Sequence, residues 1–214
     1  AFVGVVMNSV DKLLFVTYDR PDYPSGPIIN YSRLLPSLVK AGLSVSVISI
    51  YTKDYPNTRS LSNKGIDIHP MRKSYTEVMV KQILDKIEDI QPDVFIPDII
   101  TAGCFAGKWV MDAGIPVINS VRGPDEMNVG KGTYFSHPQF GYELTGMVCV
   151  SRYLEQLMRS RIGNSSTLTT VIPSGVSVPK GVARLPDNDL RIVYAGRLVE
   201  KAKRFGAVIE SFLA

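Results

Sequence analysis

The stretch KLLFVTYDRPDYPSGPIINYSRLLPSLVKAGLSVSVISIY, residues 12–51, decides the fold. Lys12 to Asp19 is a β-rich apolar run, and the turn residues PDYPSGP follow it. Ile28 to Ala41 then carries apolar residues at helical spacing: Ile28, Ile29, Leu34, Leu35, Leu38 and Val39. Ser25 suits the N-cap of that helix and Pro27 its first turn, while Pro36 predicts a kink. Gly42 closes the helix, and LSVSVISIY resumes strand character. A strand, a helix and a second apolar strand in this order make a βαβ unit, whose strands run parallel.

The pattern repeats along the chain. GIDIHPM (65–71) reads as a third strand and Tyr75 to Ile90 as a helix ended by Gln91-Pro92. DVFIPD (93–98) is a fourth strand, Thr101 to Ala113 a helix, and IPVINSVRG (115–123) a fifth strand. MVCVS (147–151) and TLTTVIPSG (167–175) follow, separated by a helix from Arg152 to Arg161. Continuous apolar runs predict central strands buried on both faces, with Val94, Phe95, Val117, Ile118, Val148 and Val150 in the interior. The fold expected is α/β: a doubly wound parallel sheet, Rossmann-like, over residues 1–175.

Beyond it the organisation changes. Residues 176–189 are polar and bear Pro and Gly without apolar period, as an interdomain linker does. LRIVYAG (190–196) is one more strand, followed by a helix from about Lys201 to the last residue. One strand and one helix cannot bury themselves, so 190–214 reads as the start of a second, incomplete domain.

Composition narrows the function. The 214 residues are 45% hydrophobic and 21% charged, and the mean hydropathy is +0.08. That composition excludes a mostly disordered chain. No apolar stretch approaches the roughly 18 residues that span a bilayer, and Ala1 to Val6 lacks the basic flank of a signal peptide. The net charge of +4 is scattered rather than gathered into a stripe, which argues against a nucleic-acid partner. Cys104 and Cys149 sit in apolar surroundings without CxxC spacing, as free buried thiols do; His69 and His137 are isolated.

In an open parallel sheet, ligands bind beyond the carboxyl ends of the strands. Ser25 and Gly26 stand there, directly before a helix whose N-terminus favours an anion. The fifth strand ends in SVRGPDEM, which places Arg122, Gly123, Asp125 and Glu126 on one loop. Ser151 lies at the next strand–helix junction, where an N-cap is its ordinary role. In YAGRLVEKAKRF (194–205), Gly196 ends a strand, and Arg197, Lys203 and Arg204 bring cations to a helix start, as a diphosphate requires. Asp187-Asn188-Asp189 has the Asp-x-Asp spelling of metal-using sugar transferases but lies in the linker, before a strand, where turn chemistry explains it. Gly130 to Thr133 lacks P-loop spacing, and no GxGxxG is present.

From Lys12 to the end, these segments resemble family 4 glycosyltransferases, retaining enzymes of the GT-B fold. VIPSGV (171–176) and GRLVE (196–200) are the specific part, in this order and at this distance. The resemblance implies a hexosyltransferase that joins an acceptor-side domain to a donor-side domain. Arg197 and Lys203 then bind the donor diphosphate, with Lys201 the alternative lysine, and Gly26 approaches the donor phosphates. Ser25, Arg122, Gly123, Asp125 and Ser151 face the acceptor or the sugar.

Partners follow from the same resemblance: a nucleotide-sugar donor and a carbohydrate, lipid-linked or small-molecule acceptor, with no metal or other cofactor. The location implied is the cytoplasm, or peripherally the inner face of the membrane. Where the family carries His-Gly after the fifth strand, this chain has Arg122-Gly123, and an arginine cannot accept a proton. The family's donor-site glutamates would lie beyond Ala214. A non-catalytic module that kept the fold, and a GT-B relative such as a sugar-nucleotide epimerase, are the alternatives.

Overall fold

A computed structural model describes residues 10–21, 26–98, 100–176, 178, 180–181, 193 and 204–213. The chain divides into two compact units, 1–175 and 176–214.

The first unit alternates strand and helix as the apolar pattern predicts. Its strands are β1 (Lys12–Asp19), β2 (Ser44–Tyr51), β3 (Asp67–Arg72), β4 (Val94–Ile96), β5 (Ile118–Val121), β6 (Gly146–Cys149) and β7 (Leu168–Val171). Its helices are α1 (Gly26–Lys40), the single turn α2 (Pro56–Arg59), α3 (Thr76–Ile90), α4 (Thr101–Asp112), α5 (Glu126–Tyr134) and α6 (Arg152–Ile162). Every strand pair is parallel. The order β3-β2-β1-β4 continues into β5-β6-β7 through a bridge from Phe95 to Val117, where the Phe95 N–H donates to the Pro116 carbonyl at 2.9 Å. The sheet is therefore the Rossmann-like one expected. Pro36 lies inside α1, which runs through it as one element.

Two apolar clusters cover the two faces of β1 and β2. Phe15, Val45 and Val47 pack with Tyr31 and Leu35 of α1. Leu14, Val16, Ile48 and Ile50 pack with Met79, Ile83 and Ile87 of α3 and with α4. The other half differs. Asn119, Val121, Met147 and Cys149 are buried, and the last three pack under Val129 of α5 and Leu154, Met158 and Ile162 of α6, whereas Ile118 and Val148 on the opposite face stay half-exposed. Val94, Phe95 and Val117 are interior as expected; Ile118, Val148 and Val150 are only half-buried. The correction has a simple cause: β5 and β6 alternate buried and half-buried positions, as strands with one well-covered face do.

The short turn α2 and helix α5 are not expected from the sequence, and α5 is the longer of the two. Its EMNVGKGTY has two glycines and little apolar period, yet Asp125 caps it and Gly132 lets it approach α6, since a Cβ there would stand 3.0 Å from Met158 Cε. In the second unit the described helix is α7 (Phe205–Leu213). The expected helix start near Lys201 lies outside the described residues, and Arg204 precedes α7 with a left-handed φ of 48°.

Candidate functional site

Strands β1, β4 and β5 are neighbours, so their carboxyl ends bring three junctions together. After β1 the chain leads to Gly26 and α1; after β4 stands Asp98; after β5 stands Arg122.

Asp98 and Arg122 form an ion pair, with Nη2 2.9 Å from Oδ1. The Asp98 side chain is 4% exposed and that of Arg122 20%. The same carboxylate oxygen accepts a hydrogen bond from the Ser120 hydroxyl. Asp98 holds a left-handed φ of 47°, a conformation that aspartate tolerates better than most residues. On the other side, the guanidinium lies over the Tyr31 ring of α1, 5.1 Å from its centroid, and Tyr31 meets Phe15 edge-on at 5.4 Å. Four elements thus fix one cation.

The electrostatics follow from burial. Desolvation pushes the Asp98 carboxyl above the ordinary carboxylate range, against the pull of Arg122 and the Ser120 and Tyr31 hydrogen bonds. Burial opposes the Arg122 charge, but Asp98 and Tyr31 more than restore it, so the guanidinium stays a cation. Tyr31 is driven well up, first by burial and then by Asp98. The Tyr31 hydroxyl lies close enough to Asp98 and Arg122 to interact with both, yet among the described residues neither it nor Arg122 Nη1, both buried, has a hydrogen bond of good geometry. An orphaned buried donor of this kind costs about 1–3 kcal/mol unless another molecule satisfies it.

The remaining candidates divide. Asp125 caps α5, accepting from Asn128 N at 3.1 Å and Asn128 Nδ2 at 2.7 Å. Gly123 is needed for that cap, because a Cβ there would stand 2.7 Å from Asp125 Oδ2. Glu126 lies exposed in the first turn of α5, its carboxylate beside Gly130. Ser151 caps α6, accepting from Leu154 N at 3.3 Å. Gly26 begins α1 with open space about it: a Cβ would meet no described atom within 4 Å. Ser25, Arg197, Lys201 and Lys203 lie outside the described residues. Gly26 and Arg122 therefore share the strand-end edge, while Asp125 and Ser151 are engaged in helix caps.

Two carboxylates escaped the sequence reading. Asp98 ends the DVFIPD run; a carboxylate directly after a buried strand was the available signal. Asp19, 2% exposed at the end of β1, accepts from Thr58 N (2.7 Å), Thr58 Oγ1 (2.8 Å) and Asn57 Nδ2 (2.7 Å). It anchors α2 beside the loop that leads to Gly26. Nothing in the sequence announces that long-range contact.

A shallow groove of about 540 Å³ between α3 and α4 includes Trp109, Gln91 and Ile115. These residues border the segments entering β4 and β5, so the groove lies at the edge opposite the strand-end site. Among the described residues, no cluster of three His, Cys, Asp or Glu could hold a metal ion, and no helix is long and apolar enough to cross a membrane. Cys104 and Cys149 are both buried thiols.

No family model matches the chain, and no curated protein sequence is significantly similar to it. Solved structures resemble it in fold. The lipopolysaccharide outer core galactosyltransferase WaaB, in its apo form, superposes with a TM-score of 0.58 at 13% identity, over 84% of this chain and 50% of WaaB. HepE of Anabaena, in complex with UDP, gives 0.54 at 13% identity, over 77% of this chain and 44% of HepE. UDP-GlcNAc 2-epimerase from Neisseria meningitidis, bound to UDP-GlcNAc, gives 0.52 at 18% identity, over 74% and 45%. The chain has the α/β Rossmann-like fold of these GT-B proteins, and spans about half of their length.

Proposed function

We propose that this chain is the acceptor-side part of a glycosyltransferase similar to family 4, which moves a hexose from a nucleotide sugar to a carbohydrate, lipid-linked or small-molecule acceptor with retention of configuration. The observation that carries this reading is Arg122. It is a buried, braced cation at the carboxyl ends of β4 and β5, beside the helix that begins at Gly26. Support comes from the structural neighbours, among them HepE in complexes with UDP and UDP-glucose.

In this reading residues 176–189 form a linker and 190–214 begin a donor-side domain, where Arg197 and Lys203 neutralise the leaving diphosphate. Gly26 lets the phosphates approach the N-terminus of α1. Cations and helix termini take the place of a divalent ion, so the reaction is metal-independent. Positioning supplies much of the rate of such a transfer, and half a cleft supplies little of it, so residues 1–214 alone should be inactive. The complete gene product tests this. With a panel of nucleotide sugars and undiminished turnover in chelator, proton NMR of the first product should show the donor's anomeric configuration. An inverted anomer removes retention, and dependence on Mn²⁺ or Mg²⁺ removes the metal-free chemistry.

One observation favours a second reading, a non-catalytic binding module. The residue in place of the family's histidine is an arginine already paired to Asp98. Such a module would bind nucleotide sugars without turnover.

A further inference from the structure

We propose that Asp98 is the positioning residue of this site: through one oxygen shared with Ser120 it orients Arg122 and leaves Nη1 as the donor offered to the ligand. The inference rests on the glycosyltransferase reading and goes beyond it, to residues on β4, β5 and α1 that act through Arg122.

Three features set this cluster apart from an ordinary internal salt bridge. The first is convergence. Asp98 follows β4, Ser120 and Arg122 belong to β5 and the loop after it, and Tyr31 lies in α1 five residues after Gly26. A shift of α1 is thereby felt by the guanidinium. The second is strain. Asp98 is one of three non-glycine residues with positive φ among the described residues, and unusual backbone of this kind gathers at functional sites.

The third is incompleteness. A structural ion pair of this burial is stabilised by satisfying its remaining donors, yet Nη1 and the neighbouring Tyr31 hydroxyl lack well-formed partners among the described residues. Nη2 is held by Asp98 and the guanidinium is covered by Tyr31, whose hydroxyl also neighbours it, while Nη1 makes no well-formed hydrogen bond. Arginine presents its donors in a rigid fork, so holding Nη2 fixes the direction of Nη1. The ligand chemistry this suits is an oxygen acceptor, either a phosphate oxygen or a sugar hydroxyl.

The test is a double-mutant cycle in the complete gene product, reading kcat and KM for the donor alongside Tm. Asp98→Asn keeps the shape and an acceptor oxygen but removes the charge. It should lower kcat/KM at least tenfold in protein that still unfolds cooperatively. On an Arg122→Ala background the same change should cost less than twofold, because there is no guanidinium left to orient. Ser120→Ala, which keeps both charges, is the second variant should Asp98→Asn not fold; it should cost about threefold in the native background and nothing with Arg122→Ala.

Comparable losses in both backgrounds would make the cluster a structural brace and overturn the proposal, as would a folded Asp98→Asn variant within twofold of wild type. Failure of the glycosyltransferase reading looks different. In that case the wild-type protein itself neither transfers nor binds any nucleotide sugar tried, and both proposals fall together.

Discussion

Asp98 and Arg122 pair at 2.9 Å across the ends of β4 and β5, two strands whose backbones meet at the Phe95–Val117 bridge. The pair closes the edge where the two halves of the sheet meet. Removing one partner leaves the other buried and uncompensated. Asp98→Ala should therefore destabilise the first unit by about 3–5 kcal/mol, read from urea denaturation of the 214-residue chain. A loss below about 1 kcal/mol would show that Arg122 reaches water when unpaired.

Asp93 and Asp98 flank β4 and should respond to pH with opposite sign. The Asp93 carboxylate accepts from the backbone N–H groups of Asp11 and Lys12 at 2.8 and 2.7 Å, which holds it below the ordinary value. Its contribution is present above the unfolded value of about 3.9 and is lost as pH falls through the depressed one. Asp98 is raised by burial, so its contribution is fullest below about 3.9 and is lost as pH rises through the folded value. Stability measured from pH 3 to 7 should show the gap between wild type and Asp93→Asn widening with pH. For Asp98→Asn the wild type should lose ground as pH rises. Parallel curves would contradict both assignments.

Asp19→Ala removes a buried acceptor of three hydrogen bonds and orphans the Thr58 amide, while the Thr58 hydroxyl keeps its 2.7 Å hydrogen bond with Ser49 Oγ. The expected loss is about 3 kcal/mol, with protease cleavage near Thr58 as the local sign that α2 has detached. Equal protease resistance would place the anchoring of α2 elsewhere.

The Cys149 thiol is pushed up to about 11, first by burial and then by Glu155. Cys104 is fully buried beside Asn119 Nδ2 at 3.3 Å. Neither should react with a thiol-specific reagent at pH 8 until the chain is unfolded, when two equivalents should titrate. Rapid modification of the native protein would refute the burial of α4 and β6 at these positions.

The βαβ units of this fold were legible because each strand is a short apolar run and each helix an amphipathic period, as in Ile28 to Val39 or Met79, Ile83 and Ile87. Helix α5 was not, since EMNVGKGTY owes its helicity to the Asp125 cap and to its fit against α6. Burial was overestimated at Ile118, Val148 and Val150, where apolar character does not say how many faces are covered. Arg122 and Gly26 could be placed at the strand ends from order alone. Asp98 and Asp19 could not be linked to their partners, because Arg122 and Thr58 reach them only through the strand order. Ser151 and Asp125 show the reverse: their sequence position suits a ligand as well as a cap, and the structure has them capping.

The account stands most directly on nucleoside-diphosphate release by the complete gene product, followed with a panel of nucleotide sugars and compared with Arg197→Ala and Lys203→Ala. Transfer is expected from at least one donor, and each substitution should remove roughly 2–4 kcal/mol of transition-state stabilisation, about 30- to 1,000-fold in kcat/KM. Residues 1–214 alone should release none. Robust turnover by the 214-residue chain, or full activity in both variants, would contradict the two-domain mechanism.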